Sequence, residues 1–453
     1  MLLLKNCAYI AQPDEDVIIT NSDILIEGNR IKRIGKNIGA DFTSEKVLDC
    51  QGSIVIPGLV NTHHHFFQTL TRNLKEVQNA KLFDWLTYLY EVWKNIDEEA
   101  VYISSMMAMG ELLKTGCTLT TDHHYLYPEG FTGDLMGIQF EAACQLGIRF
   151  SPSRGSMSLG KNSGGLPPNS VVQSEEAILE DSERVIEKYH DASEDSMRKI
   201  VLAPCSPFSV TKENMKKTAS LARKHNVRLH THLAETMDEE VFCNEMFGKN
   251  PLAVMEEVGF LGHDVFFAHG VYFNDEELER LAQTKTSIAH CPSSNMRLGS
   301  GVARIRDMLR LGINVGLAVD GSASNDTSDM LGELRNAMLL QRVKYGADAL
   351  TCLDVFRMAT INGARMLNFP NTGRIKEGYL ADMAVFDLNK LEYTGSLSDP
   401  LAALIFSGIS HEAKHTIVNG KVVVENGWLI GEDEEYLMKK GNEASMRLLG
   451  KLN

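Results

Sequence analysis

Apolar positions along this chain fall into two textures. Through the middle, short apolar runs end in polar side chains, and an amphipathic stretch follows each run. Eight such runs stand out: Ile54–Asn61, Thr118–Asp122, Ile148–Ser153, Ile200–Pro204, Arg228–Leu233, Val265–Ala268, Thr286–Ala289 and Val315–Val319. Runs this short and this apolar suit strands buried on both faces. The stretches between them carry helix signals. Asn274 with Glu277 fits a capping box. Asp97 opens a long helix that Gly116 stops, and Ser174 opens another with acids in its first turn. Eight β–α units in series predict an α/β fold, a distorted (β/α)8 TIM barrel, over the alternative of a doubly wound open sheet. A barrel makes a demand on the sequence: functional residues belong at the C-terminal ends of its strands.

The two ends of the chain read differently. Asp23–Glu27, Arg30–Ile34 and Ser53–Ile56 near the start, and Met383–Phe386, His415–Val418 and Lys421–Val424 near the end, are short and rich in Ile, Leu and Val. Asn29, Gly35 and Gly52 punctuate the first set, and Asn419-Gly420 is a tight hairpin turn in the second. Half-sheets at opposite ends can pair into one domain. The expected division is a composite β-sandwich from residues 1–56 and 370–430, a catalytic barrel over 57–369, and a C-terminal helical tail over 431–453.

Composition narrows the classes of function. The 453-residue chain has a net charge of −15, which argues against nucleic-acid backbones and anionic membranes as partners. No stretch approaches the ~20 apolar residues of a membrane span, and MLLLKNCAYIAQ is too short an apolar start for a signal peptide. Cys7, Cys50, Cys117, Cys144, Cys205, Cys243, Cys291 and Cys352 are scattered with no CxxC pair, as in reduced thiols. The expectation is a cytoplasmic protein, a possible homo-oligomer, acting on a small molecule.

The strand ends carry the chemistry. The first run ends in PGLVNTHHH, residues 57–65. Side chains two apart on a strand share a face, so His63 and His65 point the same way, as two ligands of one metal would, while His64 faces away in a structural role. The fifth run ends in HTHLAE, residues 230–235. If His232 reaches the metal, Glu235 lies just beyond the strand end, and His230 is deeper, a core histidine. The sixth run ends at His269-Gly270 and the eighth in Ala318-Val319-Asp320-Gly321. In a barrel these residues converge on one axis, where nitrogen and oxygen ligands suit Zn2+. The PCxxC of cytidine-type zinc deaminases is missing, since Pro204-Cys205 is followed by Ser206, Pro207 and Phe208; HExxH is absent too.

From PGLVNTHHH through HTHLAE, AHG, HCPSSNMRLGSG and AVDGSASND to ADMAVFDL, the chain resembles the amidohydrolase superfamily, in its mononuclear aminohydrolase branch. The resemblance covers essentially the whole length. It implies one zinc bound by His63, His65, His232 and Asp320, a catalytic Glu235, and His269 close to the attacking water and substrate. Dinuclear relatives bridge their metals with a lysine at the fourth strand end, and Val201–Pro207 has none. The implied reaction is hydrolytic deamination of a ring. Zinc lowers the pKa of its bound water to about 7. Asp320 accepts a proton from it, Glu235 protonates a ring nitrogen and the departing ammonia, and His269 orients the attacking oxygen.

Substrate choice is assigned to four residues. Gln68, three past His65, offers a carboxamide suited to a purine or pterin edge. Cys205 ends the fourth strand. Arg154 opens the Gly- and Ser-rich segment to Ser170, which is expected at the active face as a lid, and either meets a substrate carbonyl or anchors that loop. His123, His124 and Tyr125 end the second strand, with His124 chosen for the pocket. Trp85, Tyr88, Tyr90 and Trp93 are read as helix-packing aromatics, with one available to cover a planar ring. NTHHHFFQTLTR, TDHHYLYP and SRGSMSLGKNSGGLPPNSVV look like the corresponding segments of deaminases acting on 8-oxoguanine, which implies uric acid and ammonia as products. Guanine, isoxanthopterin and s-triazines are the alternative rings, and a non-catalytic ligand-binding barrel is the alternative of another class.

Overall fold

The computed structural model describes residues 1–38, 42 and 44–450. Residues 451–453 of the expected tail, and 39–41 and 43 near the start, lie outside the described residues. The chain opens with β1 (Leu2–Gln12), β2 (Val17–Glu27), β3 (Arg30–Gly35), β4 (Lys46–Asp49) and β5 (Ser53–Pro57). Sequence reading missed β1 as a strand. Its register with β2 shifts between Leu4 and Cys7, and its burial follows no simple alternation, so the period-2 signal is blurred.

The middle of the chain supplies β6 (Leu59–Asn61), β7 (Cys117–Thr120), β8 (His123–His124), β9 (Arg149–Phe150), β10 (Ser153–Ser156), β11 (Val201–Pro204), β12 (Arg228–Leu233), β13 (Val265–His269), β14 (Ser287–His290) and β15 (Val315–Leu317). All eight expected runs are strands. Two are interrupted: the first splits at Pro57-Gly58 between β5 and β6, and the third at Ser151-Pro152. A curled parallel sheet runs β15-β14-β13-β12-β11-β10-β8, and a second runs β6-β7-β9. Main-chain hydrogen bonds join the two at both edges. Thr62 N–H donates to the Leu317 carbonyl at 3.1 Å, and His123 N–H donates to the His64 carbonyl at 2.7 Å. Every residue of β7, β11, β13, β14 and β15 is buried, because helices cover one face of the sheet and side chains fill the other. Four helices matter below: α1 (Leu82–Trp93), α2 (Glu98–Lys114), α3 (Met237–Phe247) and α4 (Glu434–Leu448). Among the described residues no helix is long and apolar enough to cross a membrane.

The last strands, β16 (Met383–Asp387), β17 (His415–Val418), β18 (Lys421–Glu425) and β19 (Trp428–Leu429), return to the first ones. β16 pairs antiparallel with β5, so both chain ends share one nine-stranded sheet, β19-β18-β17-β16-β5-β1-β2-β3, with β4 on β1. Asn419 and Gly420 both have positive φ, 51° and 77°, as a two-residue hairpin turn needs.

A buried ion pair fastens this sheet to the parallel strands. Arg149 on β9 donates through Nε and Nη2 to the two carboxylate oxygens of Asp382, at 2.8 and 3.1 Å, and also to the Ser196 carbonyl. Asp382 in turn accepts the Asn419 N–H at 2.6 Å. Both charged side chains are essentially inaccessible, 0% and 1% exposed, so removing one strands the other without water. Asp382→Ala is expected to cost about 3–5 kcal/mol, read as a lower urea midpoint, and the apolar pair Arg149→Met with Asp382→Leu should recover most of it. A single variant as stable as the parent would show that the pair does not hold the sheets together.

Candidate active site

The site is built where the parallel strands end. Three of these ends turn through a left-handed residue that is not glycine: Ala234 (φ 53°) after β12, His269 (φ 73°) closing β13, and Asp320 (φ 66°) after β15. Each such residue costs about 1–3 kcal/mol and persists only where its surroundings fix it. Here hydrogen bonds do so. Val271 and Tyr272 N–H both donate to the Ala234 carbonyl, at 2.8 and 3.0 Å, and Asp320 N–H donates to the His63 carbonyl at 3.1 Å. The buried Glu239 of α3 accepts the Glu235 N–H at 3.1 Å, which fixes the turn that carries Glu235.

Four side chains point at one another. His65 Nε2 and His232 Nε2 are 3.1 Å apart, and Asp320 Oδ1 lies 3.4 Å from the Nε2 atoms of both His63 and His65. The opposite ring nitrogens settle where the protons are. His65 Nδ1 donates to the His123 carbonyl at 2.8 Å, and His232 Nδ1 to the Cys205 carbonyl at 2.7 Å. A carbonyl only accepts, so both Nδ1 atoms carry hydrogen. His230 Nδ1 likewise donates to the Phe266 carbonyl at 2.9 Å, which leaves its Nε2 to accept from His63 Nδ1 at 2.7 Å. All three Nε2 atoms are therefore bare lone pairs, and that of His63 is buried with no partner. Burial holds these imidazoles below their usual range, hence neutral. Three lone pairs and a carboxylate crowded together repel unless a cation lies between them. Four tetrahedral ligands about 2.0–2.1 Å from an ion sit about 3.3 Å apart, close to the 3.1 Å between His65 and His232 and the 3.4 Å from Asp320 to His63 and to His65. The residues fit a zinc-sized ion.

His269 differs from these three. Asn295 Nδ2 donates to its Nδ1 at 3.3 Å, so its Nε2 carries the proton. That Nε2–H faces Glu235 Oε2 at 3.5 Å and Asp320 Oδ2 at 3.9 Å. Burial, with the carboxylates of Asp320 and Glu239 nearby, pushes the Glu235 carboxyl well above the usual range. His123 stacks on His232 with ring centroids 4.8 Å apart, but its Nε2 donates to the Ala203 carbonyl. His64 bonds Ser328 and the His65 N–H, away from the cluster.

A cavity opens onto this cluster, lined by His65, Gln68, Tyr125, Cys205, His232, Glu235, His269, Asp320 and Ser324, with Leu82, Trp85, Leu86 and Tyr90 of α1 and with Phe208 and Leu298. Two of the expected substrate contacts are there. Gln68 packs against Gly321, where a Cβ would fall 1.9 Å from its Oε1. Cys205 presents a thiol that burial pushes up to about 12.

Two others are corrected. Arg154 does not reach the cavity: its guanidinium lies over the Tyr127 ring, donates to Asp181 at 2.8 Å and to Gln173 at 3.0 Å, and anchors its loop. His124 is turned away as well, with Nε2 donating to the Leu126 carbonyl, and Tyr125 takes its place. The segment after Arg154 is tied down, with the Ser158 and Leu159 N–H groups both on the Ser209 carbonyl, so α1 roofs the cavity instead. Of the four aromatics read as helix-packing with one free to cover a ring, Trp85 and Tyr90 line the cavity. The signal was there: Leu82, Trp85, Leu86, Leu89, Tyr90 and Trp93 make one helical stripe, and the hydroxyl on it has no partner.

The sequence profile of the Amidohydrolase family matches residues 54–423, most of the chain. The chain belongs to the amidohydrolase family. Among its relatives, an 8-oxoguanine deaminase of Pseudomonas aeruginosa is 45% identical over 88% of this chain and 89% of its own. A hydroxydechloroatrazine ethylaminohydrolase of Pseudomonas sp. (strain ADP) is 37% identical over 96% and 91%. The crystal structure of an atrazine chlorohydrolase from Arthrobacter aurescens TC1, complexed with zinc, superposes with a TM-score of 0.94 at 30% identity, covering 98% and 100% of the two chains. The amidohydrolase match thus takes in the parallel strands and the pairing of β5 with β16, and leaves β1–β4 and β19 outside it.

The Gly321–Gln68 contact gives a local test. Gly321→Ala should leave the fold intact, because only the mobile end of Gln68 must yield, but it should drive the carboxamide out of the cavity. Gly321→Ala and Gln68→Ala are each expected to lower kcat/KM about 3–10-fold, the worth of one buried hydrogen bond. The double variant should be no worse than the poorer single one. Fully multiplicative losses in steady-state assays would rule out a shared cause.

Proposed function

We propose that this amidohydrolase is a zinc-dependent aminohydrolase that removes an exocyclic amino group from a purine, with 8-oxoguanine converted to uric acid and ammonia. One observation carries it: three imidazole lone pairs and a carboxylate converge beside a buried acid, Glu235, in a cavity walled by Trp85, Tyr90 and Phe208. His63, His65, His232 and Asp320 would hold one zinc ion. Bound there, zinc would make a water molecule easy to deprotonate near neutral pH.

The chain's own groups divide the rest of the work. Asp320 Oδ2, with long contacts from Ser324 at 3.4 Å and His269 at 3.9 Å, would take a proton from the attacking water. His269 Nε2–H, fixed by Asn295, donates to the attacking oxygen and orients it. Glu235, whose carboxyl burial pushes up, would give a proton to a ring nitrogen and pass to the leaving amine the proton that Asp320 took from the water; the hydroxyl proton released as the carbonyl forms would restore Glu235, so water and substrate become the oxo product and ammonia. Gln68 Oε1 and Tyr90 Oη are buried without protein partners and face the ring's edge, and leaving such groups unpaired costs about 1–3 kcal/mol each. The thiol of Cys205 stays neutral beside them. Trp85 and Phe208 give the ring flat apolar walls.

The same reading takes the parallel strands as a distorted (β/α)8 barrel over 57–369. The terminal sheet would be a small β-sandwich from 1–56 and 370–430, since its strands enclose a core of their own that includes Leu4, Ile10, Ile24, Val55, Met383 and Ile417. The 431–453 tail contains α4. The protein would work in the cytoplasm, as a monomer or homo-oligomer. Similarity to enzymes of triazine chemistry favours s-triazines as the second ring class, ahead of guanine and isoxanthopterin.

Two experiments test this. Ammonia release should be measured on 8-oxoguanine, guanine, isoxanthopterin and aminotriazines. A site that hydrogen-bonds the N–H and carbonyl of 8-oxoguanine is expected to prefer it over guanine by up to ~10^4-fold in kcat/KM. Equal turnover of guanine would overturn the narrow assignment and keep the deaminase. Glu235→Gln should retain zinc by elemental analysis and lose about 10^2-fold or more in kcat. Full activity would remove Glu235 from proton transfer.

A further inference from the structure

The three histidines of the cluster are oriented in two different ways. His65 and His232 give their Nδ1 protons to main-chain carbonyls, those of His123 and Cys205. No substitution at the accepting residue can remove such an acceptor. His63 alone gives its Nδ1 proton to a side chain, His230 Nε2, at 2.7 Å. The pair is wholly buried, so water cannot stand in for the acceptor. His230 can accept only because its own Nδ1 proton is committed to the Phe266 carbonyl at 2.9 Å, and its ring is held by stacking on Phe266 at a centroid distance of 4.1 Å.

We infer that His230 is the positioning residue of the metal centre: through the relay Phe266 carbonyl, His230, His63, it fixes which His63 nitrogen carries the proton and so presents a bare Nε2 to the metal. The inference rests on the zinc reading above. Its physical content is specific. With an apolar side chain at 230, the His63 Nδ1–H has no acceptor and the ring can reverse its tautomer, placing hydrogen on Nε2, where it points toward Asp320 Oδ1, 3.4 Å from that nitrogen, and excludes the metal. Partners of this kind behind a ligating histidine are worth 10–100-fold in metal affinity. His230 is then the one histidine-orienting position in this cluster where the sequence can tune metal affinity without touching a ligand.

The test is zinc affinity, not turnover. Full-length protein is stripped and titrated with Zn2+ against a competing chelator. His230→Met, which fills the space without a comparable acceptor, is expected to bind zinc 10–100-fold more weakly than the parent. His230→Gln places an amide oxygen where Nε2 stood and should recover most of that loss. Parent-like affinity in a folded His230→Met variant overturns the inference, as does equal weakening in both variants, which would reduce His230 to packing. If His230→Met does not fold, the imidazole nitrogen-15 spectrum of the zinc-free parent decides: His63 must carry its proton on Nδ1, and finding it on Nε2 overturns the inference. A parent that binds no zinc at all defeats the proposed function instead, so the two failures are told apart.

Discussion

Everything near the active site answers to one constraint: three neutral imidazoles must turn lone pairs, not protons, toward one another and toward a carboxylate that lies 3.4 Å from two of them. Left alone, that arrangement repels itself. It is held by acceptors behind each ring, two main-chain carbonyls and one histidine, and each acceptor belongs to a different strand from the ring it holds. The parallel sheet is thus part of the proposed metal site. A shift of β11 against β12 would pull the Cys205 carbonyl from His232, and a shift of β13 would disturb His230.

The same constraint explains the backbone at the strand ends. Ala234, His269 and Asp320 all adopt left-handed conformations that few side chains favour. These turns swing side chains inward at the point where a regular strand would carry them past the axis. Their cost is offset by a dense main-chain network and by buried acids such as Glu239. Glu333 does similar work under the 318–326 loop, accepting from the Ser293 N–H at 3.2 Å and from Asn325 Nδ2 at 2.9 Å. On the proposed reading, substrate selection falls to parts under less strain that line the cavity: an apolar roof from one helix and the polar ends of Gln68 and Tyr90.

The terminal sheet lies outside this chemistry but is bound to it through Arg149 and Asp382. The arginine comes from a strand of the parallel layer and the aspartate from the segment leading into β16. The ion pair therefore joins sequence positions that only folding brings together, and it orients the first parallel strand indirectly, since the Gly58 N–H donates to the Asp382 carbonyl at 3.0 Å. His63 and His65 follow directly after that strand.

Sequence alone determined the periodic and local features. The eight apolar runs, the caps at Asp97, Ser174 and Asn274, the Asn419-Gly420 turn and the His63/His65 alternation are written in neighbouring residues, because helix and strand periods and cap hydrogen bonds act over a few positions. Resemblance to a known family added roles for Glu235 and Asp320 that spacing could not supply. Tertiary structure decided what depends on direction and on distant partners. Arg154 and His124 sit at strand ends as a pocket residue should, yet one is claimed by Asp181 and Tyr127 and the other by the Leu126 carbonyl. The glycine-rich segment that looked like a lid is pinned to the Ser209 carbonyl. His230 read as core filler because a buried histidine on a strand carries no mark of its hydrogen-bond partner; its meaning lies in His63, 167 positions away. Orientation of a side chain at a strand end is fixed by whichever neighbour reaches it first, and that neighbour is set by the fold.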